Sequence, residues 1–447
     1  MGTGKPIWKH SWLASDRAVP RLIARPVRNF LNTEAAGGIV LLAATVIALI
    51  WVNSPFEESY GSLWGTEFRV SLGALELEQD LRHWVNDGLM TVFFFVVGLE
   101  IKRELVAGEL DQLRKAALPA FAALGGMVVP AAIYLALNLG GPGERGWGIP
   151  MATDIAFAVG LLALLSKRVP PGLKVFLLSL AIVDDIGAIL VIALFYSHGL
   201  NLAWLGGAAC VLAVIVALRR LRVFWVPAYA LLGVVLWLAT LESGIHATIA
   251  GVVLGLLTPA RPTDPRGYEE VFENASALSK EPDAESLRGI TQEGREVVSV
   301  TERLEHSLHP WTSYVIVPLF ALANAGLVLS FGAMRDAATS RVTLGIVVGL
   351  VVGKIVGIAG MSWLAIKLNL AVAPDGVTRR HLFGAASVAG IGFTVSLFIT
   401  GLAFPDAALA EAAKMGVFVG SVIAGAGGAA ILATGKARTD RSKGPLG

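Results

Sequence analysis

Asp184 and Asp185 are adjacent carboxylates near the middle of an apolar run, FLLSLAIVDDIGAILVIALF from Phe176 to Phe195, that is long enough to span a bilayer. An ionised side chain at the centre of a membrane helix costs about 2.5 to 3.5 kcal/mol. A tandem pair is tolerated only where water, a cation or a partner charge meets it, so the chemistry indicated is cation or proton handling. Two other runs carry charge at depth. GIPMATD (Gly148–Asp154) places a proline, the hydroxyl of Thr153 and a third carboxylate, Asp154, inside an apolar segment. Lys354, in VVGKIVG (Val351–Gly357), lies too far from either end of its run to snorkel easily to the interface. Left unpaired, these four groups would cost on the order of 10 kcal/mol, as much as a typical folding free energy. Lys354 is therefore expected to pair with a carboxylate. One lysine does not neutralise two adjacent carboxylates, which leaves Asp185 as the group least explained by structure alone.

Ordinary roles compete with this reading. Asp184 and Lys354 could form a structural ion pair, Asp154 could cap unwound helix ends, and Thr153, Thr394 and Ser396 could be hydroxyls bonded back to their own helices. Enzyme motifs are poor by comparison. Gly353 and Lys354 are followed by Ile355 inside an apolar run, so they form no phosphate loop, and the histidines form no His-Glu-x-x-His pair. Glu305, His306 and His309 resemble a metal cluster only by proximity. Neither enzymatic activity nor a cofactor is expected.

The elements that must position these groups are membrane helices. Of 447 residues, 55% are hydrophobic and only 16% charged, and the mean hydropathy is +0.67; a soluble chain carries about 25% charged residues. A formal net charge of +2 advertises no nucleic-acid partner. The single cysteine, Cys210, excludes an intramolecular disulfide framework. Nothing before Asn32 resembles a cleaved signal peptide, because Lys5, Lys9, Arg17, Arg21, Arg25 and Arg28 make the segment basic and prolines break it.

A helix-length window gives about twelve transmembrane helices, near 35–53, 83–105, 116–139, 148–166, 173–196, 202–219, 223–240, 244–259, 309–331, 342–366, 381–403 and 411–433. Lysine and arginine follow every even-numbered span, which places both termini in the cytoplasm. The expected divisions are a basic cytoplasmic extension over 1–34, spans one to eight over 35–259 with an external hairpin at 54–81, a cytoplasmic linker over 260–307, spans nine to twelve over 308–434, and a cytoplasmic tail over 435–447. Within the hairpin, residues from Glu67 to Glu78 alternate about a glycine. The fold class is an all-α polytopic membrane protein. Span eleven, GAASVAGIGFTVS (Gly384–Ser396), carries glycines and hydroxyls where a helix can unwind, like the proline-broken span four. If spans three to five correspond to spans ten to twelve, the broken spans four and eleven are the matching pair of an inverted repeat, the pattern of a secondary-transporter site.

The strings NDGLM (Asn86–Met90), VGLEIKREL (Val97–Leu105), ATDIAF (Ala152–Phe157), LAIVDDIGAI (Leu180–Ile189), GIHATIAG (Gly244–Gly251), RLEHSLHPW (Arg303–Trp311), FALANAG (Phe320–Gly326) and GIGFTVSLFI (Gly390–Ile399) resemble the NhaA family of bacterial sodium/proton antiporters, in order along the chain. The resemblance implies an electrogenic, pH-activated sodium (lithium)/proton antiporter of the bacterial inner membrane, working by alternating access. It implies Asp185 as principal sodium ligand and proton carrier, and Asp184 as its neighbour that pairs with Lys354 in the proton-loaded state. Asp154 and Thr153 are implied at the crossing of the two broken helices, spans four and eleven. Sodium and protons then compete for the same oxygens, because an arriving cation favours the charged carboxylate that a proton would neutralise. A second cluster, Glu100, Arg103, Glu104, Glu305, His306 and His309, is implied in pH sensing. A solvated helix rim is its ordinary alternative. Asp87 and His246 also match family positions, and Glu302 stands where the family often has a basic residue. The external hairpin matches the element through which family members form homodimers, and membrane lipid is the other expected partner. A sodium-coupled solute symporter or a cation channel could use the same acids, although one chain's asymmetric carboxylates do not supply a channel's ring of ligands. A membrane scaffold would keep the charges only for packing.

Overall fold

The computed structural model describes residues 35–72, 75–261 apart from Lys167, His198, Arg222 and Phe224, and 297–434, with isolated positions between 269 and 294. The extension 1–34, the tail 435–447 and most of the linker 260–307 lie outside the described residues. Apart from one two-stranded sheet, the described elements are helices. That suits a chain in lipid, where helices satisfy their own backbone groups without water.

Helix α1 (Ala36–Val52) turns by 117° into the short α2 (Glu57–Trp64). Strands β1 (Glu67–Leu72) and β2 (Leu75–Asp80) then pair antiparallel, with Glu67 opposite Asp80 and Leu72 opposite Leu75. Only the second half of 54–81 is thus a hairpin; its first half is α2. A π-helical turn at Trp84–Leu89 leads into α3 (Met90–Ala107). Helix α4 (Leu113–Asn138) contains Pro119 and Pro130, and a 3₁₀ segment, Glu144–Met151, precedes α5 (Ile155–Leu164). There follow α6 (Pro171–Phe195), α7 (Leu202–Arg220), α8 (Val226–Glu242) and α9 (Thr248–Leu257). Helix α10 (Val300–Trp311) continues through a second π turn, Thr312–Ile316, into α11 (Val317–Asn324). After α12 (Phe331–Thr339), α13 (Arg341–Val348) runs through a third π turn, Gly349–Gly353, into α14 (Lys354–Lys367). The chain then forms α15 (Arg379–Val388), α16 (Phe393–Ala403) and α17 (Ala407–Ala433).

Among the described residues, six helices are long and apolar enough to cross a membrane, at 114–138, 144–164, 171–195, 202–220, 341–367 and 407–433; counting the bent pairs α1/α2 and α15/α16 as single spans gives eight. This is fewer than the twelve expected, for visible reasons. Glu100, Lys102, Arg103 and Glu104 crowd the end of α3, and α9 is only 10 residues long.

The site is positioned by the buried face of α6, where Leu173, Leu177, Leu180, Asp184, Ala188 and Ile192 recur every three or four residues. Leu190, Leu194 and Phe195 of the same helix face outward. The elements packed against this region are interrupted. Between the 3₁₀ segment and α5, residues Ala152 and Asp154 are extended. Between α15 and α16 the chain bends by 45°. Glycine permits the close approach there, because a Cβ on Gly392 would fall 2.9 Å from the Ala152 carbonyl oxygen.

Candidate functional site

The two interruptions meet and bond to each other. The Asp154 N–H donates to the Ile391 carbonyl at 2.6 Å, and Ser396 Oγ donates to the Ile149 carbonyl at 2.7 Å. Asp154 caps the first turn of α5 through Oδ1, which accepts from the Phe157 N–H at 3.1 Å. Its Oδ2 accepts from the Thr394 N–H at 3.0 Å and from Thr394 Oγ1 at 2.7 Å. One carboxylate therefore caps the N-termini of both α5 and α16, where helix dipoles favour negative charge. Both its oxygens are occupied, which matches the capping alternative for this residue.

Lys354 comes from the opposite side. Its Nζ donates to the Met151 carbonyl, to Thr153 Oγ1 at 3.0 Å and to Asp184 Oδ2 at 2.7 Å, so all three ammonium donors are used. The ion pair is sealed: Lys354 is 0% and Asp184 1% exposed. Thr153 Oγ1 lies within donating distance of Asp184 Oδ2 at 2.6 Å and of the Ala389 carbonyl at 2.9 Å. Asp184 Oδ1, by contrast, is buried without a hydrogen-bond partner. Asp185, also buried, accepts no hydrogen bond among the described residues. Unpaired carboxylate oxygens of this kind are costly in a low-dielectric site unless a proton or cation meets them. Among the described residues no group of three or more His, Cys, Asp or Glu side chains converges as a metal centre. A cation visiting the two aspartates would need further oxygen donors from backbone, hydroxyl or water, as hard cations prefer.

The second cluster lies near the ends of α3 and α10. Arg103 Nη1 holds Glu305 Oε1 at 2.5 Å and Nη2 lies 3.6 Å from Glu104 Oε1. Glu104 Oε2 accepts from the Glu109 N–H at 3.1 Å. Glu305 Oε2 is buried and unpartnered. Burial raises the Glu305 carboxyl above its ordinary range; Arg103 opposes that shift, while Glu302 and Glu104 add to it. Glu100 lies within electrostatic reach of Glu305, Arg103 and Glu104. His306 and His309 are exposed, and neither ring hydrogen-bonds to these acids.

Backbone and amide groups contribute beyond the charged side chains, and Asp87 and His246, which match positions of the family resembled, take their places among them. The Met151 and Ile391 carbonyls act through backbone, and only the neighbouring Pro150 and Gly392 hint that these segments are unwound. Asn324 Nδ2 donates to Asn86 Oδ1 at 2.8 Å, joining the first π turn to the end of α11. His246 Nε2 lies 2.8 Å from the Tyr196 carbonyl. The hydroxyl of Tyr196 in turn donates to the Arg145 carbonyl at 2.7 Å, holding the 3₁₀ segment. Asp87 contributes its carbonyl, which accepts from Trp237 Nε1 at 2.9 Å.

Residues 28–432 match the family model described as Na+/H+ antiporter 1. The chain is 48% identical over 410 residues to "Na(+)/H(+) antiporter NhaA 3" of Frankia alni, covering 92% of this chain and 89% of that protein. It is 49% identical over 416 residues to "Na(+)/H(+) antiporter NhaA" of Rhodopirellula baltica, covering 91% and 93%. Against the protein of the same name from Oleidesulfovibrio alaskensis the identity is 47% over 428 residues, covering 93% and 95%.

Proposed function

Because the chain belongs to the NhaA family of Na+/H+ antiporters, we propose that it is a multi-pass protein of the bacterial inner membrane that expels sodium in exchange for protons. The observation that carries the reading is a sealed carboxylate with one unpartnered oxygen, Asp184, beside a second carboxylate, Asp185, that accepts no hydrogen bond. Sodium and protons are alternative neutralisers of the same oxygens, so loading one expels the other. Asp185 is the principal ligand and proton carrier. Asp184 alternates between Lys354 and the ion, and Asp154 with Thr153 holds the crossing together. Exchange follows if the loaded site, but not the empty one, switches sides. Lithium is carried by the same oxygens, and more protons than sodium ions move per cycle, making the exchange electrogenic.

The finer architecture belongs to the same reading. It comprises twelve spans built as inverted repeats around the crossing, both termini in the cytoplasm, and a homodimer joined through the hairpin of β1 and β2. The division at the 260–307 linker leaves eight spans before it and four after it.

The test is sodium-dependent proton flux in proteoliposomes with a pH-sensitive dye inside and a protonophore control. Proton movement on adding sodium, faster at alkaline pH, is the expected result; no flux across pH 6 to 9 in folded protein would discard antiport.

We assign the Arg103 cluster to pH activation, with the ionised form of Glu305 as the active one. Since Arg103 holds the Glu305 carboxyl down against burial, Arg103→Gln lets it rise further, and more alkaline conditions are needed to ionise it. The pH–rate profile should move to higher pH by about 1 unit, the lower end of what a neighbouring guanidinium gives a carboxylate. Flux measured from acid to alkaline pH checks both sign and size; an unmoved profile would return the cluster to an ordinary helix rim.

A further inference from the structure

Beside the Lys354 bonds, α14 and the π turn before it pack closely against α4 through glycines. A Cβ on Gly125 would run into the carbonyl of Gly357, and one on Gly357 into that of Gly125. A Cβ on Gly353 would fall 2.9 Å from Pro130 Cα. At these positions the neighbour is backbone, so a side chain there would part the helices. Gly126 is different, because its neighbours are side chains: a Cβ there would lie 2.8 Å from Ile358 Cγ1 and 3.7 Å from Lys354 Cδ.

Lys354 and Ile358 are one turn apart on the same face of α14. Ile358 is fully buried and has nowhere to retreat except by turning its helix. Two irregularities fix the local geometry further. Pro130 has no N–H to offer the Gly126 carbonyl one turn back, so that carbonyl lacks its usual helix partner. The π turn Gly349–Gly353 inserts an extra residue just before Lys354 and sets the direction in which it leaves the helix.

We propose that Gly126 is a positioning residue for Lys354: its missing side chain leaves room for Ile358, and so holds α14 where the lysine ammonium meets Met151, Thr153 and Asp184 together. The inference rests on the antiporter reading for its functional consequence. A methyl at position 126 pushes Ile358, rotates α14 and draws the ammonium away from at least one acceptor. Hydrogen-bond angles and distances this tight do not survive a shift of an ångström.

The experiment compares wild type, Gly126→Ala, Lys354→Gln, the two combined, and Gly126→Ala with Ile358→Ala. Sodium KM and maximal rate are measured in proteoliposomes, and thermal midpoints on the purified proteins in detergent. Gly126→Ala should move the sodium KM by about threefold or more, in the direction that Lys354→Gln moves it, the scale of coupling between contacting residues. It should add no shift of its own once Lys354 is Gln, and Ile358→Ala should return the KM toward wild type. A shift that persists in the Lys354→Gln protein, or no shift at all, overturns the proposal. If Gly126→Ala alone does not fold, recovery of folded, transporting protein by Ile358→Ala supports it, and failure to recover overturns it. If wild type shows no sodium-dependent flux, the antiporter reading fails by itself. The thermal midpoints then still decide: losses at 126 and 354 that do not add support the positioning role, and additive losses overturn it.

Discussion

Asp185→Asn is expected to abolish sodium-dependent proton flux while leaving the protein folded. Asparagine keeps the shape of the side chain and one carbonyl oxygen, but it can neither release a proton nor offer a full negative charge. Two unit charges at about 4 Å interact by about 4 kcal/mol at the effective dielectric of a protein site. Losing that attraction weakens sodium binding by about three orders of magnitude, and the loss of a titrating group removes the proton half of the cycle altogether. Stability should move the other way or not at all, because Asp185 is buried and accepts no hydrogen bond among the described residues, so its charge is uncompensated by donors. Flux in proteoliposomes and the thermal midpoint in detergent separate the outcomes. A folded variant with normal flux would remove Asp185 from the mechanism, whereas lost stability with retained flux would favour the scaffold reading.

Lys354→Ala is expected to act in the opposite way, chiefly on stability. Its ammonium has no exposure and faces a carboxylate that is 1% exposed. Removing one member of such a pair strands the other and costs about 3–5 kcal/mol, and the Met151 carbonyl and Thr153 hydroxyl lose a donor as well. Adding Asp184→Asn should return much of this loss, because the stranded charge then disappears. Thermal midpoints of the single and double variants check both statements. Equal midpoints for wild type and Lys354→Ala would mean that the pair does not hold the fold.

Much of this was legible in the chain because charge inside an apolar run is rare enough to stand out. Asp184, Asp185 and Lys354 declared themselves that way, and Pro150, Gly390 and Gly392 marked the places where helices stop. Which aspartate meets Lys354 was harder, since neighbours on a helix point about 100° apart and only packing tells which faces the lysine. Likewise Glu305 turns toward Arg103 while His306, one position on, faces outward. The three π turns left no signal; Gly349 to Gly353 reads as ordinary membrane helix. The alternation from Glu67 to Glu78 gave away two strands, but the polar, aromatic residues before them hid α2.

Asp154 ties two helix ends together. Its carboxylate is shared between the beginnings of α5 and α16, and its own amide and the Ser396 hydroxyl bind the same two segments in both directions. Two half-helices riveted through a common anion cannot travel separately without baring a buried charge. Whatever rocks or slides during a cycle, this knot must go as a single rigid piece. On the antiport proposal, the seam expected to move lies between the knot and α6, which carries Asp185; α6 packs against α5, the 3₁₀ segment and α15, and its polar link to the knot runs through Asp184 to Thr153 and Lys354.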